Sequence, residues 1–326
     1  MKSLTFTEAL REALQEEMER DASVFLLGED IGVYGGAFGV TRGLLDRFGA
    51  ERVKNTPISE GSFVGMAIGA SLVGSRPVVE IMFMDFITLA MDQLVNQAAK
   101  LHYVLGDQAR CPVVVRTAGG AGRCYGPTHS QSLEAWFIHV PGIRVVAPST
   151  PADAKGLLKT AIRDDNPVLF VEHKLLYGTR GDVPAGRDFT VPFGKARLVR
   201  EGTDVTIVAW SRMAVEAEAA AAALEEEGIR AEVIDPRTLA PLDIGALADS
   251  ARKTGRVLIV EEAPGTGGVS AEIGMQLVER VYDYLDAPIR RLAASDVPVP
   301  ASPVLEKALL PDRQRIFEEA VALVRQ

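Results

Sequence analysis

Residues 55–70 read NTPISEGSFVGMAIGA. A short extended segment runs into a single acid, Glu60, and a helix of small residues follows, with Gly61, Gly65 and Gly69 four apart. Glycine costs about 1 kcal/mol relative to alanine inside a helix. Bearing that cost three times points to another backbone passing close along the glycine face. Glu60 admits two readings. An acid in the first turn complements the helix dipole, and a lone acid beside an apolar helix is a candidate proton-handling group.

Outward from this stretch the chain alternates β-rich runs with helical periods. Thr5 and Glu8 have the spacing of a capping box, ahead of Leu10, Leu14 and Met18 at helical intervals. Residues 24–27, 78–83, 113–116, 144–147 and 168–172 predict strands, and 87–105 predicts one long helix carrying Leu89, Leu94 and Leu101. Thr150 and Pro151 open another helix, a hydroxyl cap followed by proline. Such alternation predicts a parallel sheet covered on both faces. A stretch rich in Gly, Pro, Arg and Asp then reads as a connector. Beyond it, strands at 205–209, 231–234 and 256–260 alternate with helices at 215–227, stopped by Gly228, and at 270–284. The expected fold class is α/β with two doubly wound domains, 1–180 and 197–326, joined by a linker over 181–196.

The chain has 326 residues, 47% of them hydrophobic, enough for two cores. Its net charge is −9, and no Lys/Arg block could follow a phosphate backbone, which argues against nucleic-acid binding. Cys111 and Cys124 stand apart from any C-x-x-C pair, so free thiols are expected rather than a zinc or iron–sulfur site. The opening segment is acidic and amphipathic, unlike a targeting leader. The longest apolar run, 61–74, is too short to span a bilayer. A cytoplasmic location without membrane association is the expectation.

The run Gly119-Gly-Ala-Gly122 follows a predicted strand, as a dinucleotide loop would, but its spacing is wrong and it leads to Pro127 instead of a helix. A nicotinamide site is therefore rejected. His129 follows within PTHSQ at 127–131. A loop histidine can shuttle protons near neutral pH, or it can simply bond a backbone carbonyl. His102, His139 and His173 lack such a setting and read as structural. At 161–167 a helix ends, because Pro167 bars a helical Asn166. The exposed carbonyls there suit either a plain cap or a cation.

Several strings, in order, make the chain resemble the beta subunit of the first, decarboxylating component of thiamine-diphosphate-dependent 2-oxo acid dehydrogenase complexes. They are GED at 28–30, PISE at 57–60, FITLAMDQ at 86–93, HSQ at 129–131, DAKGLL at 153–158, AIRDDNP at 161–167 and VIDPRTL at 233–239. Residues 4 to about 180 resemble the pyrimidine-binding domain of that family, and 195 onward the transketolase C-terminal domain.

The resemblance implies a site. Glu60 would hydrogen-bond the 1′ nitrogen of the cofactor's aminopyrimidine, where a shared proton favours the basic imino tautomer. Phe86, with Met82, would lie against the pyrimidine ring, although such an apolar pair beside a strand is also ordinary core. His129 would face the reaction centre and assist acyl transfer. A structural potassium ion would sit at Val113, Ala161, Ile162, Asp164 and Asn166. Thiamine diphosphate would be shared with an alpha subunit that holds magnesium, because Gly106-Asp107-Gln108 and Gly181-Asp182-Val183 do not match the family's magnesium motif. The implied partners are that alpha chain in a two-alpha, two-beta assembly, the second beta chain and a lipoyl acyltransferase core.

The implied reaction is oxidative decarboxylation of a 2-oxo acid with acyl transfer to lipoamide, of the pyruvate dehydrogenase type. The string HSQSLEAWF at 129–137 fits the pyruvate and acetoin branches better than the branched-chain one, and 82–86 and 172–178 lean towards acetoin dehydrogenase. A non-catalytic assembly subunit could keep the same fold. A self-sufficient transketolase-like enzyme has no room for its diphosphate domain in 326 residues. An electron-transfer oxidoreductase lacks both the dinucleotide fingerprint and the cysteine clusters.

Overall fold

A computed structural model describes residues Met1–Gln326. Its contacts divide the chain into two compact units, Met1–Gly119 with Trp136–Phe193, and Gly120–Ala135 with Gly194–Gln326. This differs from a cut along the sequence. Residues 120–135 lie inside the expected first domain, yet pack with the second unit. The expected linker, 181–196, opens in a strand.

The first unit begins with β1 (Lys2–Thr5) and the helix Phe6–Arg20. The capping box forms: Thr5 Oγ1 accepts the Glu8 amide at 3.1 Å, and the Glu8 carboxylate accepts the Thr5 amide at 2.7 Å. This unit contributes six strands to its sheet: β2 (Val24–Gly28), β3 (Val53–Asn55), β4 (Arg76–Ile81), β5 (Val114–Gly119), β6 (Arg144–Val146) and β7 (Val168–His173). Their order is β6-β7-β5-β4-β2-β3, and every pair is parallel. The strand β8 (Arg180–Val183) pairs antiparallel with β1. From β2 the chain adds β3 on one side and β4 on the other, so the order reverses between β2 and β4. In open parallel sheets, ligands bind beyond the carboxyl ends at such a reversal.

The helix Pro151–Arg163 starts at Thr150, whose hydroxyl accepts the Asp153 amide at 3.1 Å. Its buried Lys155 and Lys159 donate to Glu16 on the first helix at 2.8 and 2.6 Å, and Arg163 donates to Glu17 at 2.6 Å. Buried charges survive only when paired in this way.

The expected helix at 87–105 is not continuous. Met84–Ala90 is a 3-10 helix, Asp92–Ala98 a π-helix and Ala99–Val104 an α-helix. Packing supplies the reason. The buried apolar residues include Met84, Ile87 and Ala90, three apart as in a 3-10 turn, then Leu94 and Ala98, four apart. Leu89, carried by the expected helix, is 61% exposed.

The second unit contains β9 (Arg197–Arg200), β10 (Val205–Ala209), β11 (Ala231–Asp235), the short β12 (Thr238–Ala240), β13 (Val257–Pro264) and β14 (Arg290–Ala294). Its sheet runs β14-β13-β10-β11-β9, parallel except for the edge strand β9. The alanine-rich helix Ser211–Glu226 buries Ala214, Ala217, Ala221 and Leu224 in one core with Val205, Ile207 and Leu258. Small side chains let that helix lie close to the sheet. Gly228, at φ +78°, ends it by taking the left-handed conformation that costs glycine little.

Candidate active site

Three loops leave the carboxyl ends of β2, β3 and β4, at the reversal of strand order. Each carries chemistry. Glu29 directly follows β2, Glu60 follows the loop after β3, and Met82 to Phe86 follow β4. Glu60 is the first residue of the helix Glu60–Leu72 and is 4% exposed. The hydroxyl of Ser59, the residue before it, bonds Ser62 Oγ at 2.7 Å and does not cap the helix. Burial raises the Glu29 carboxyl above its ordinary range, and the charge of Glu60 raises it further. Glu29 Oε1 is buried with no hydrogen-bond partner. Two buried carboxyl groups thus lie near each other, one of them with an acceptor left unsatisfied.

The glycine face of the Glu60 helix has three different surroundings. A Cβ at Gly61 would stand 3.1 Å from the Leu89 carbonyl oxygen, and one at Gly65 would stand 3.6 Å from Gln93 Cγ. One at Gly69 would meet nothing within 4 Å. The close backbone approach expected from the sequence is therefore made at Gly61, by the 3-10 segment that also carries Phe86. Next to the open end, Met66 is 60% and Val73 84% exposed.

Met82 and Phe86 are half-buried. Phe86 meets Phe83 edge-on, with ring centroids 6.1 Å apart, Phe83 meets Phe38 edge-on at 5.8 Å, and Phe38 stacks on Tyr177 at 4.6 Å. This aromatic row ends on a polar group that the sequence reading missed. Arg116 is fully buried and grips Glu172 with two bonds of 2.7 and 2.9 Å. It also donates to Glu80 at 2.8 Å, and the Tyr177 hydroxyl donates to Glu172 at 2.7 Å. The two carboxylates hold the Arg116 guanidinium in its charged form against the cost of burial. A signal was available: the apolar runs of β4, β5 and β7 are interrupted by charged residues at Glu80, Arg116 and Glu172.

His129 belongs to the second unit, and Glu60, Met82 and Phe86 to the first. The His129 ring is half-buried, with Nδ1 3.1 Å from the Thr128 hydroxyl. The next residue, Ser130, faces a cavity of about 450 Å³ in the second unit, and its hydroxyl oxygen is buried without a partner. Among the histidines read as structural, His102 bonds Ala109 O and Asp107, both at 3.0 Å, and His173 accepts the Leu175 amide at 3.1 Å.

The residues expected around a cation gather at the carboxyl end of the helix Pro151–Arg163. The Asp164 amide donates to Ala161 O at 3.3 Å, and Asp164 Oδ1 accepts from the Asn166 amide at 2.8 Å. Val113 O accepts the Val168 amide at 2.9 Å. Arg76 already brings positive charge there, donating to Ile162 O and Asp164 O at 3.0 Å each. A carbonyl oxygen has two lone pairs, so both oxygens keep capacity for an ion. No group of three His, Cys, Asp or Glu side chains is placed to hold a metal. The buried Glu60 carboxyl, with the half-buried Met82 and Phe86, suits the pyrimidine half of a thiamine cofactor.

The model of the transketolase pyrimidine-binding domain matches residues 2–180, and that of the transketolase C-terminal domain matches 194–316. The fold and these two matches define a transketolase-like protein. A solved structure described as split gene transketolase, inactive beta4 tetramer, has a TM-score of 0.80 and 25% identity, covering 99% of this chain and 98% of that one. The beta subunit of the pyruvate dehydrogenase E1 component from Gracilaria tenuistipitata var. liui is 48% identical, over 99% of this chain and all of its own. The protein of the same name from Rickettsia felis is 48% identical, over 97% of this chain and 96% of its own. The chain belongs to this family of E1 beta subunits.

Proposed function

We propose that the chain is the beta half of a pyruvate-type E1 enzyme, which decarboxylates a 2-oxo acid and passes the acyl group to lipoamide. The observation that carries this is the buried Glu60, at the start of the glycine helix beyond the sheet reversal. The cofactor would be thiamine diphosphate, which when bound supplies the carbanion chemistry. Glu60 would hold the proton at the 1′ nitrogen of the pyrimidine. Phe86 and Met82 would orient the ring and keep water away, and His129 would assist acyl transfer. An alpha chain would bring the magnesium-bound diphosphate half, in a two-alpha, two-beta assembly that includes the second beta chain and docks on a lipoyl acyltransferase core.

In this reading residues 1–180 form the pyrimidine-binding part, 181–196 the connector and 197–326 the C-terminal part. Val113, Ala161, Ile162, Asp164 and Asn166 would hold a structural potassium ion beside the Arg76 guanidinium. No helix is long and apolar enough to cross a membrane, and a cytoplasmic location belongs to the proposal.

The test is co-expression with the alpha chain, followed by turnover of pyruvate, acetoin and branched 2-oxo acids in wild type and Glu60→Gln. Turnover should need both chains, prefer pyruvate and fall by at least about 100-fold in the variant. Turnover by the beta chain alone would sink the half-site reading, and an unaffected variant would sink the role of Glu60.

A further inference from the structure

We infer that Glu306 is a positioning residue for the loop that carries His129, and that the glycine-rich run at 120–126 is a nest for this chain's own carboxylates. The inference rests on the proposed role of His129.

Gly120, Gly122, Cys124 and Gly126 all have positive φ, at +82°, +90°, +58° and +78°. Alternation of this kind turns successive amides into one concavity that favours an anion. Here the anions are internal. Glu306 Oε1 accepts the Gly122 amide at 3.0 Å, and Oε2 accepts the Cys124 amide at 2.9 Å and its thiol at 3.2 Å. The Ala121 amide donates to Glu262 Oε1. Glu306 lies on the helix Pro303–Leu309 and is 3% exposed. Its carboxylate gathers three donors, and charge-assisted bonds of this kind are stronger than neutral ones. The hydrogen bond to Glu306 also pushes the Cys124 thiol up, as expected when the thiol keeps its proton to donate it.

This tether reaches His129 through a short path. The Gly120 amide donates to Gln131 O at 3.2 Å and closes the loop, and the His129 amide donates to Gly126 O at 3.4 Å. On another side the loop borders the cavity of about 450 Å³, which is lined by Pro127, Ser130 and Gln131. The carboxylate clamp is thus one of the restraints that set the position of the loop. A displacement of an ångström or so is enough to slow a step that relies on orientation.

The test uses the co-expressed alpha–beta enzyme and two assays: pyruvate turnover coupled to lipoamide, and decarboxylation read with the dye 2,6-dichlorophenolindophenol. The variants are Glu306→Gln, His129→Ala, the double variant and Cys124→Ala. Glu306→Gln should lower lipoamide-coupled kcat about tenfold and leave dye-coupled turnover and the KM for thiamine diphosphate unchanged. In the His129→Ala background it should add no further loss, as two residues acting through one another require. Cys124→Ala removes one of the three donors and should lower lipoamide-coupled kcat about twofold.

Equal loss in both assays, or a full additional loss on top of His129→Ala, would show a merely structural role and overturn the inference. Wild-type turnover in His129→Ala would instead remove the reading on which it rests. If Glu306→Gln fails to assemble, the same cycle is run with Cys124→Ala, and a wild-type lipoamide rate in that variant counts against the inference.

Discussion

Gly61 lies so close to Leu89 that a methyl group on it would stand 3.1 Å from the Leu89 carbonyl oxygen. One end of that contact adjoins Glu60 and the other belongs to the segment bearing Phe86. Gly61→Ala should therefore shift Glu60 and Phe86 relative to each other. Alanine's helix preference, worth about 1 kcal/mol, would offset much of the strain. The expected outcome is a thermal midpoint close to wild type with thiamine diphosphate affinity weakened about tenfold, measured by cofactor titration of the assembled enzyme. Unchanged affinity would mean that the helix and the Phe86 segment are not coupled.

Gly69 gives the contrasting prediction. Its side faces open space in this chain, so Gly69→Ala should stabilise the isolated beta chain by up to about 1 kcal/mol. If the alpha chain covers this face, the added methyl should weaken alpha–beta association, read by sedimentation of the mixed chains. A variant that gains stability and assembles normally would place the interface elsewhere.

The Arg116 cluster is predicted to be structural. Glu172→Gln leaves a buried guanidinium without one of its charged partners and should cost about 3 kcal/mol. For a unit of this size that is a fall in melting temperature of about 10 °C. Tyr177→Phe removes one hydrogen bond and should cost about 1 kcal/mol. Calorimetry on both variants checks the order, and a larger loss from Tyr177→Phe would contradict it.

Glu134 predicts a pH dependence. Burial pushes its carboxyl from 4.5 up to about 7, with the charges of Glu262 and Glu261 adding to the effect. As the pH rises, the folded chain keeps a proton that the unfolded chain has already released. The stability linked to this group is therefore fully present below pH 4.5 and is lost as the pH climbs to about 7. The loss amounts to about 3 kcal/mol. Glu134→Gln cannot ionise there, so it should be more stable than wild type at pH 8, with the difference shrinking towards pH 5. A difference independent of pH would assign the effect to packing.

The strands were legible because β-branched runs between turn residues have few alternatives. Residues 205–209 are the same strand in sequence and structure. The helix that begins after Thr150 was legible from its cap and proline. The segment at 84–104 was not, because its changes of helical type follow from which residues the core accepts, and that is decided by distant strands. Glu60 stood out as a lone acid before glycines, whereas Glu29 did not, since nothing local shows that one of its carboxylate oxygens will be buried without a partner. The Glu306 clamp was invisible for the same reason. Its donors lie about 180 residues away, and an acid in a C-terminal helix ordinarily reads as solvated surface.

The second unit is assembled from two separate stretches of chain, Gly120–Ala135 and Gly194–Gln326. It is therefore not a severable module. A polypeptide beginning at Gly194 would lack the amides that Glu262 and Glu306 receive, and would expose two carboxylates shaped for an absent partner. Shuffling such halves between relatives at the apparent boundary would separate each clamp from its own loop. The inheritable piece is the whole chain, and the loop and its acids must vary together.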